Sequence, residues 1–164
     1  MPQEFTMQAA LVKAAQTEKN VMDFYLRATQ IVTDPGAKKV FSTLAREERE
    51  HAASFFHLCA GGELGTFDEF ISAPSARLVI HEELEKVLDQ DVHERRAMEL
   101  ALCEEEDLAR QLEFTASHIV DPGVRQIFDR MAKETRNHYA IIESEYARMM
   151  GMVHETDIDT FVRE

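Results

Sequence analysis

The sequence predicts an all-α protein, a four-helix bundle made of two helical hairpins joined by a long crossover. Three observations carry that expectation. Apolar residues recur every three to four positions over long stretches, the period of a helix face and not of a strand. Two Asp-Pro-Gly breaks, at 34–36 and 121–123, divide those stretches into pairs. The chain also repeats itself. Sliding it by 87 residues places Glu18 on Glu105, Asp34-Pro35-Gly36 on Asp121-Pro122-Gly123, Phe41 on Phe128, Ala45 on Ala132, Glu47 on Glu134, Arg49 on Arg136 and His51 on His138. Over 14–58, 11 of 45 positions match without a gap, which points to an internal duplication.

The first helix is expected over roughly 4–32, with Leu11, Ala15, Glu18, Met22, Tyr25 and Val32 along one stripe. The second, roughly 36–60, carries Val40, Leu44, Glu48, His51, Phe55 and Leu58. A third over about 91–119 is traced by Met98, Leu102, Glu105, Ala109, Leu112 and Ile119, and a fourth over about 123–150 by Phe128, Met131, Thr135, His138, Ile142 and Glu145. Each Asp-Pro break offers an Asp to cap the following helix and a Pro suited to its first turn. Gly61, Gly62 and Gly65 end the second helix, and Gly151 the fourth. Residues 61–90 then connect the hairpins and hold a further helical pattern, ARLVIHEELEKVL. One long crossover between two helix pairs is the ferritin-like arrangement. The bundle is expected over 1–151, followed by a C-terminal tail at 152–164.

With 164 residues the chain suits one domain, and 45% apolar residues suffice for a core. The net charge of −13 argues against nucleic acid, which requires a basic face to displace counterions, and is compatible with attracting cations. No stretch approaches the roughly 18 apolar residues of a membrane span, and the start has no secretory pattern, so a soluble cytoplasmic protein is expected. Cys59 and Cys103 form no CxxC and no disulfide framework. Free thiols are the expectation.

The informative anomaly is ionisable side chains on stripes that should be apolar: Glu18, Glu48, His51, Glu105 and His138. Burying an unpaired carboxylate costs several kcal/mol or neutralises it. No Lys or Arg lies on these stripes, so a metal ion is the natural partner. Glu48 and His51 form a Glu-x-x-His pair, and positions i and i+3 project from one helix face. Carboxylates with imidazole nitrogen suit iron or manganese, and zinc would also bind.

At these residues the chain resembles the rubrerythrin branch of the ferritin-like di-iron carboxylate proteins. The resemblance covers about 8–150 and rests on Glu18 and Tyr25 with Leu44-Ala45-Arg46-Glu47-Glu48-Arg49-Glu50-His51, and on Glu105 with Met131-Ala132-Lys133-Glu134-Thr135-Arg136-Asn137-His138. It implies two irons between the helices, with Glu18, Glu48, His51, Glu105 and His138 as ligands and Glu48, with Glu105 a further candidate, bridging. It further implies oxidoreductase chemistry on hydrogen peroxide or dioxygen, electrons from an external donor protein, and a homodimer. An iron-handling ferroxidase or storage protein, or a degenerate bundle with little turnover, is the alternative.

Three departures stand out. The second Glu-x-x-His of the family is interrupted by Thr135, the further carboxylate one turn after the third-helix Glu is Leu108, and no paired CxxC of a rubredoxin segment is present. Three carboxylates leave two divalent ions with a residual +1. Glu134 could swing inward, Asp107 could supplement the set if the third helix is rotated, and the Thr135 hydroxyl could bond a metal-bound water. Tyr25 reads as a core aromatic, the alternative being a hydrogen bond to a ligand carboxylate. Met22, Met98, Met131, Met149, Met150 and Met152 read as core or gap-filling residues, and His57, His81, His93, His118 and His154 show no paired spacing inward. Glu47, Glu50, Glu104 and Glu106 read as solvated neighbours of the inward acids.

Overall fold

The computed structural model describes residues 6–74 and 90–151, with the side chains of 90–93 excepted. It is an all-α ferritin-like bundle, helical throughout its regular structure among the described residues. The elements are α1 (Met7–Ile31), α2 (Pro35–Leu58), a short α3 (Phe67–Ser72), α4 (Gln90–His118) and α5 (Pro122–Met149).

The starts are set by side-chain caps that satisfy otherwise orphaned backbone donors. Thr6 accepts from the Ala9 N–H at 3.1 Å, which starts α1 at Met7, later than the sequence pattern suggests. Asp34 accepts from Ala37 N–H at 2.8 Å and Asp121 from Val124 N–H at 3.0 Å, each followed by Pro in the first turn. α2 ends at Leu58, short of 60, and the chain then turns through Gly61, Gly62 and Gly65 at φ of 92°, 67° and 75°, a region open to glycine. Helix α3 was not foreseen: Thr66 caps Glu69 N–H at 3.2 Å while its hydroxyl donates to the Glu69 carboxylate. The helical pattern expected at ARLVIHEELEKVL, residues 76–88, lies wholly outside the described residues.

Antiparallel pairs α1/α2 and α4/α5 form the hairpins, and they meet along two seams, α1 against α4 and α2 against α5. At one end the Glu94 carboxylate accepts from Thr33 N–H at 2.8 Å and its hydroxyl at 2.7 Å, and Arg148 pairs with Asp34. The start of α4 and the end of α5 therefore sit beside the α1–α2 turn. The 24 residues of α2 climb about 36 Å away from that end, so the end of α2 and the start of α4 lie at opposite ends of the bundle.

The core is the set of stripes the periodicity marks. Leu11, Ala15, Met22 and Tyr25 of α1, Leu44 and Phe55 of α2, Met98, Leu108 and Leu112 of α4, and Phe128, Met131 and Ile142 of α5 are all buried. Phe55 and Phe128 meet with ring centroids 4.8 Å apart across the α2–α5 seam. Leu58, expected inside, is exposed because α2 ends there, and Leu102 is only partly covered; Leu108 takes the inward place one turn after Glu105. Cys59 and Cys103 are free thiols. No helix among the described residues is long and apolar enough to cross a membrane.

Candidate metal centre

All five ionisable side chains marked on the stripes are buried, with Glu18, Glu48 and Glu105 fully inaccessible. They come from four helices: Glu18 from α1, Glu48 and His51 from α2, Glu105 from α4 and His138 from α5. The 3.6-residue period turns each toward the bundle axis at the same level. Two groups result, Glu18 with Glu48 and His51, and Glu48 with Glu105 and His138; within each, the nearest ligand atoms all lie within 4.8 Å of one another. Glu48 belongs to both. Its Oε1 lies 2.8 Å from His138 Nδ1 and its Oε2 3.6 Å from His51 Nδ1, so one carboxylate spans the pair. The two rings stack nearly parallel, 5.4 Å between centroids and 8° between planes.

Both imidazoles present Nδ1 to the carboxylates, at 3.7 Å from Glu18 for His51 and 3.7 Å from Glu105 for His138. Several of these buried atoms have no hydrogen-bond partner: both oxygens of Glu18, Oε2 of Glu48, Nδ1 of His51 and Oε2 of Glu105. A buried polar atom left unpaired costs about 1–3 kcal/mol. Several such atoms on neighbouring carboxylates and imidazoles amount to a donor set suited to a cation, and oxygen and imidazole donors of this kind fit iron, manganese or zinc.

The sequence matches the Rubrerythrin family over residues 9–146, from the first turn of α1 to the last turn of α5. The chain belongs to the rubrerythrin family. No curated protein and no solved structure matches it. Rubrerythrins are di-iron carboxylate proteins, and in this rubrerythrin the buried Glu and His groups could hold metal.

Protons balance the charge in the metal-free chain. Burial raises the Glu18 carboxyl well above its usual range, and the neighbouring Glu48 raises it further. Burial also lifts Glu105 to about 7, again with help from Glu48. For Glu48 itself burial is outweighed by its neighbours, the Glu18 carboxyl, the His138 imidazole that bonds its Oε1 and the nearby His51 imidazole, which together hold its carboxyl far below the ordinary value. Burial alone would depress the imidazoles, but the surrounding carboxylates win and hold His51 at about 11 and His138 at about 10.

Several neighbours sit differently from their sequence reading. Tyr25 is both a core aromatic, stacked on Phe41 at 5.8 Å, and a hydrogen-bond donor, its hydroxyl bonding the Glu105 carboxylate. Thr135 is fully buried, and its hydroxyl donates to the Met131 carbonyl at 2.8 Å, one turn back along its own helix. Glu134 does not swing inward: it lies on the outer side of His51, with Oε2 at 2.6 Å from Nε2. Asp107 is exposed and takes no part. Glu104, expected in solvent, is buried, since the face α4 turns inward is wide enough to take in both 104 and 105. Lys19 is buried next to Glu18 in sequence, but its ammonium pairs with Asp23 on its own helix and leaves Glu18 without a cation. Glu47, read as a solvated acid, holds His138 Nε2 with its Oε2 at 2.7 Å. A cleft of about 490 Å³ between α2 and α5, lined by Glu47, Glu50, Arg130, Glu134 and Asn137, leads down to the two imidazoles. His57 and His118 are exposed, and His81, His154 and Met152, with the His93 side chain, lie outside the described residues.

Proposed function

We propose that this rubrerythrin-family protein is a metal-binding oxidoreductase that reduces peroxide or dioxygen at a di-iron centre inside the bundle. Glu18, Glu48, His51, Glu105 and His138 would hold the ions, with Glu48 shared between them. The observation that supports this best is the set of partnerless buried ligand atoms on Glu18, Glu48, Glu105 and His51. Iron bound there would supply the reducing electrons, which zinc has none of. Manganese is compatible with the same donors.

The chain's own contribution is enclosure and orientation. Tyr25, Leu44, Phe55, Phe128 and Met131 keep bulk water from the carboxylates, which strengthens every electrostatic contact among them. Tyr25 fixes Glu105 by one oxygen, leaving the other free. The α2–α5 cleft gives a small oxidant a path as far as the imidazoles. The two groups in question are the only metal-ligating clusters among the described residues, so the reading takes its electrons from an external donor protein. A homodimer in the cytoplasm completes it, by analogy with the family.

Thr135 favours a second reading, an iron-handling ferroxidase or storage protein or a bundle with little turnover, because only three carboxylates face two ions. Metal analysis of protein from iron-supplemented cells, followed by stopped-flow absorbance on adding peroxide, separates the two. About two irons per chain with rapid ferrous oxidation, and turnover with a reductant, supports the oxidoreductase. Ferrous oxidation without turnover, or at most one redox-inert ion, supports the alternative. Glu48→Ala removes the shared carboxylate and abolishes metal retention under both; retention at the parental level refutes the ligand set.

A further inference from the structure

We propose that Glu47 and Glu134 are positioning residues that aim the two imidazoles at the metal, a role that rests on the metal-binding reading above. Each imidazole has one nitrogen on either side of the ring. Nδ1 faces the buried carboxylates, while Nε2 faces the α2–α5 cleft and meets a carboxylate there. The partners are crossed. Glu134 of α5 holds His51 of α2 at 2.6 Å, and Glu47 of α2 holds His138 of α5 at 2.7 Å. The two contacts are images of one another under the 87-residue repeat, which carries 47 to 134 and 51 to 138. Even their exposure agrees: both carboxylate side chains are 42% exposed over rings that are 5–6% exposed.

A carboxylate accepts and cannot donate, so an imidazole held this way keeps its hydrogen on Nε2. Nδ1 is then the nitrogen left to bind a cation. Orienting a ligating imidazole through its other N–H raises its basicity and fixes its ring, and loss of such a partner costs about 10–100-fold in metal affinity. Because the partners are crossed, the same two bonds also hold α2 and α5 in register, with the rings parallel at 5.4 Å. Glu50 provides the internal contrast. It lines the same cleft and carries the same charge, but it is exposed and bonds neither imidazole.

The test is a titration of the full chain with cobalt(II), reading the apparent Kd and the visible spectrum of the bound ion, for the parent and for Glu47→Ala, Glu134→Ala, Glu47→Gln, Glu134→Gln, Glu50→Ala and Glu48→Ala. Glu47→Ala and Glu134→Ala are expected to weaken binding by about 10–100-fold each and to alter the spectrum. Gln keeps an acceptor oxygen, so the Gln variants are expected to stay within about threefold of the parent. Glu50→Ala is expected to change the Kd by less than about twofold. Should Glu50→Ala weaken binding as much as Glu47→Ala, or should Gln fail to rescue, the cleft acts only through charge and the positioning role is overturned. Alanine variants that bind like the parent overturn it as well. A measurement free of variants is the ¹⁵N spectrum of the zinc-loaded parent, where Nδ1 should be metal-bound and Nε2 protonated; the reverse overturns the proposal. Glu48→Ala keeps the two failures apart. Parental binding that disappears in Glu48→Ala but persists in Glu47→Ala and Glu134→Ala sinks the positioning role alone, whereas absent parental binding, or binding untouched by Glu48→Ala, sinks the metal centre and this inference together.

Discussion

Loading the centre must expel protons, and the structure says about how many. At pH 7 both imidazoles of the metal-free chain are protonated, His51 being held at about 11 and His138 at about 10. Burial and Glu48 both raise Glu18 well above its usual range, and Glu105, at about 7, is half protonated. Every one of these groups must lose its proton to ligate a cation. The two imidazoles and Glu105 therefore give up about 2.5 protons when two divalent ions enter at pH 7, and Glu18 adds to that number. The sign follows. Protons compete with metal, so affinity rises with pH, and the product of the two binding constants should gain at least about two orders of magnitude per pH unit between pH 6 and 8. Isothermal calorimetry in buffers of different ionisation enthalpy counts the protons directly, with cobalt(II) or zinc as the ion. Release of less than about one proton per chain, or an affinity flat from pH 6 to 8, would show that the buried acids and imidazoles are not what the metal displaces.

Thr135→Glu places a carboxylate at the buried position that the repeat matches to Glu48; it should bring stoichiometry closer to two ions per chain by metal analysis, while the metal-free form loses on the order of 3 kcal/mol through crowding and burial of charge. Unchanged stoichiometry would mean that the fourth carboxylate is dispensable here. Tyr25→Phe leaves one oxygen of buried Glu105 without its donor and should destabilise the metal-free chain by about 1–3 kcal/mol in urea unfolding. Asp34→Ala removes the α2 cap and should cost about 1 kcal/mol, close to the effect of Asp121→Ala at α5, because the additional Arg148 pair at Asp34 is exposed and adds little. The Ala37 N–H, together with Arg148, holds the Asp34 carboxyl below its usual value, so its contribution is present above the unfolded-state pKa and fades as pH falls through the folded one; thermal melts of parent and variant should converge in acid.

The four long helices were legible because their signals are local: a cap, a proline and an unbroken 3.6-residue period. Each observed end falls within a few residues of the pattern, and the shifts trace to side chains such as Thr6 that stop the helix from starting earlier. Helix α3 was invisible to periodicity, since six residues make fewer than two turns, although the Thr66-to-Glu69 spacing is a capping signal. The inward acids were legible for the same reason as the core. What could not be read was how far a side chain reaches across a seam. Glu47 and Glu134 lie off the stripe by one residue, about 100° of helix; Glu47 looks like a solvated acid and Glu134 like a ligand that could swing inward until the opposite helix is in place. Glu104 erred the other way, because the width of a buried face depends on what packs against it and not on the helix alone.

The duplication also explains why the centre is symmetric outside and unequal inside. A pseudo-twofold arrangement needs each half to supply what the other half meets, so a residue matched in both hairpins yields two equivalent contacts. Glu47 with Glu134 and His51 with His138 satisfy this and give two crossed imidazole–carboxylate bonds of nearly the same length. Glu48 and Tyr25 do not: their repeat partners are Thr135 and Leu112. The shared carboxylate therefore comes from α2 alone, and only Glu105 receives a tyrosine hydroxyl, while its counterpart Glu18 has both oxygens free. Near the metal, where each additional charge must be balanced, the two halves have diverged; at the cleft, where half-exposed carboxylates are screened by water, nothing opposes keeping them alike. The difference between the half-sites is thus a property of two positions, 48/135 and 25/112; Glu48 is shared by both groups whereas Tyr25 bonds Glu105 of one group alone, so substitution at 25/112 should change one ion's environment without the other's.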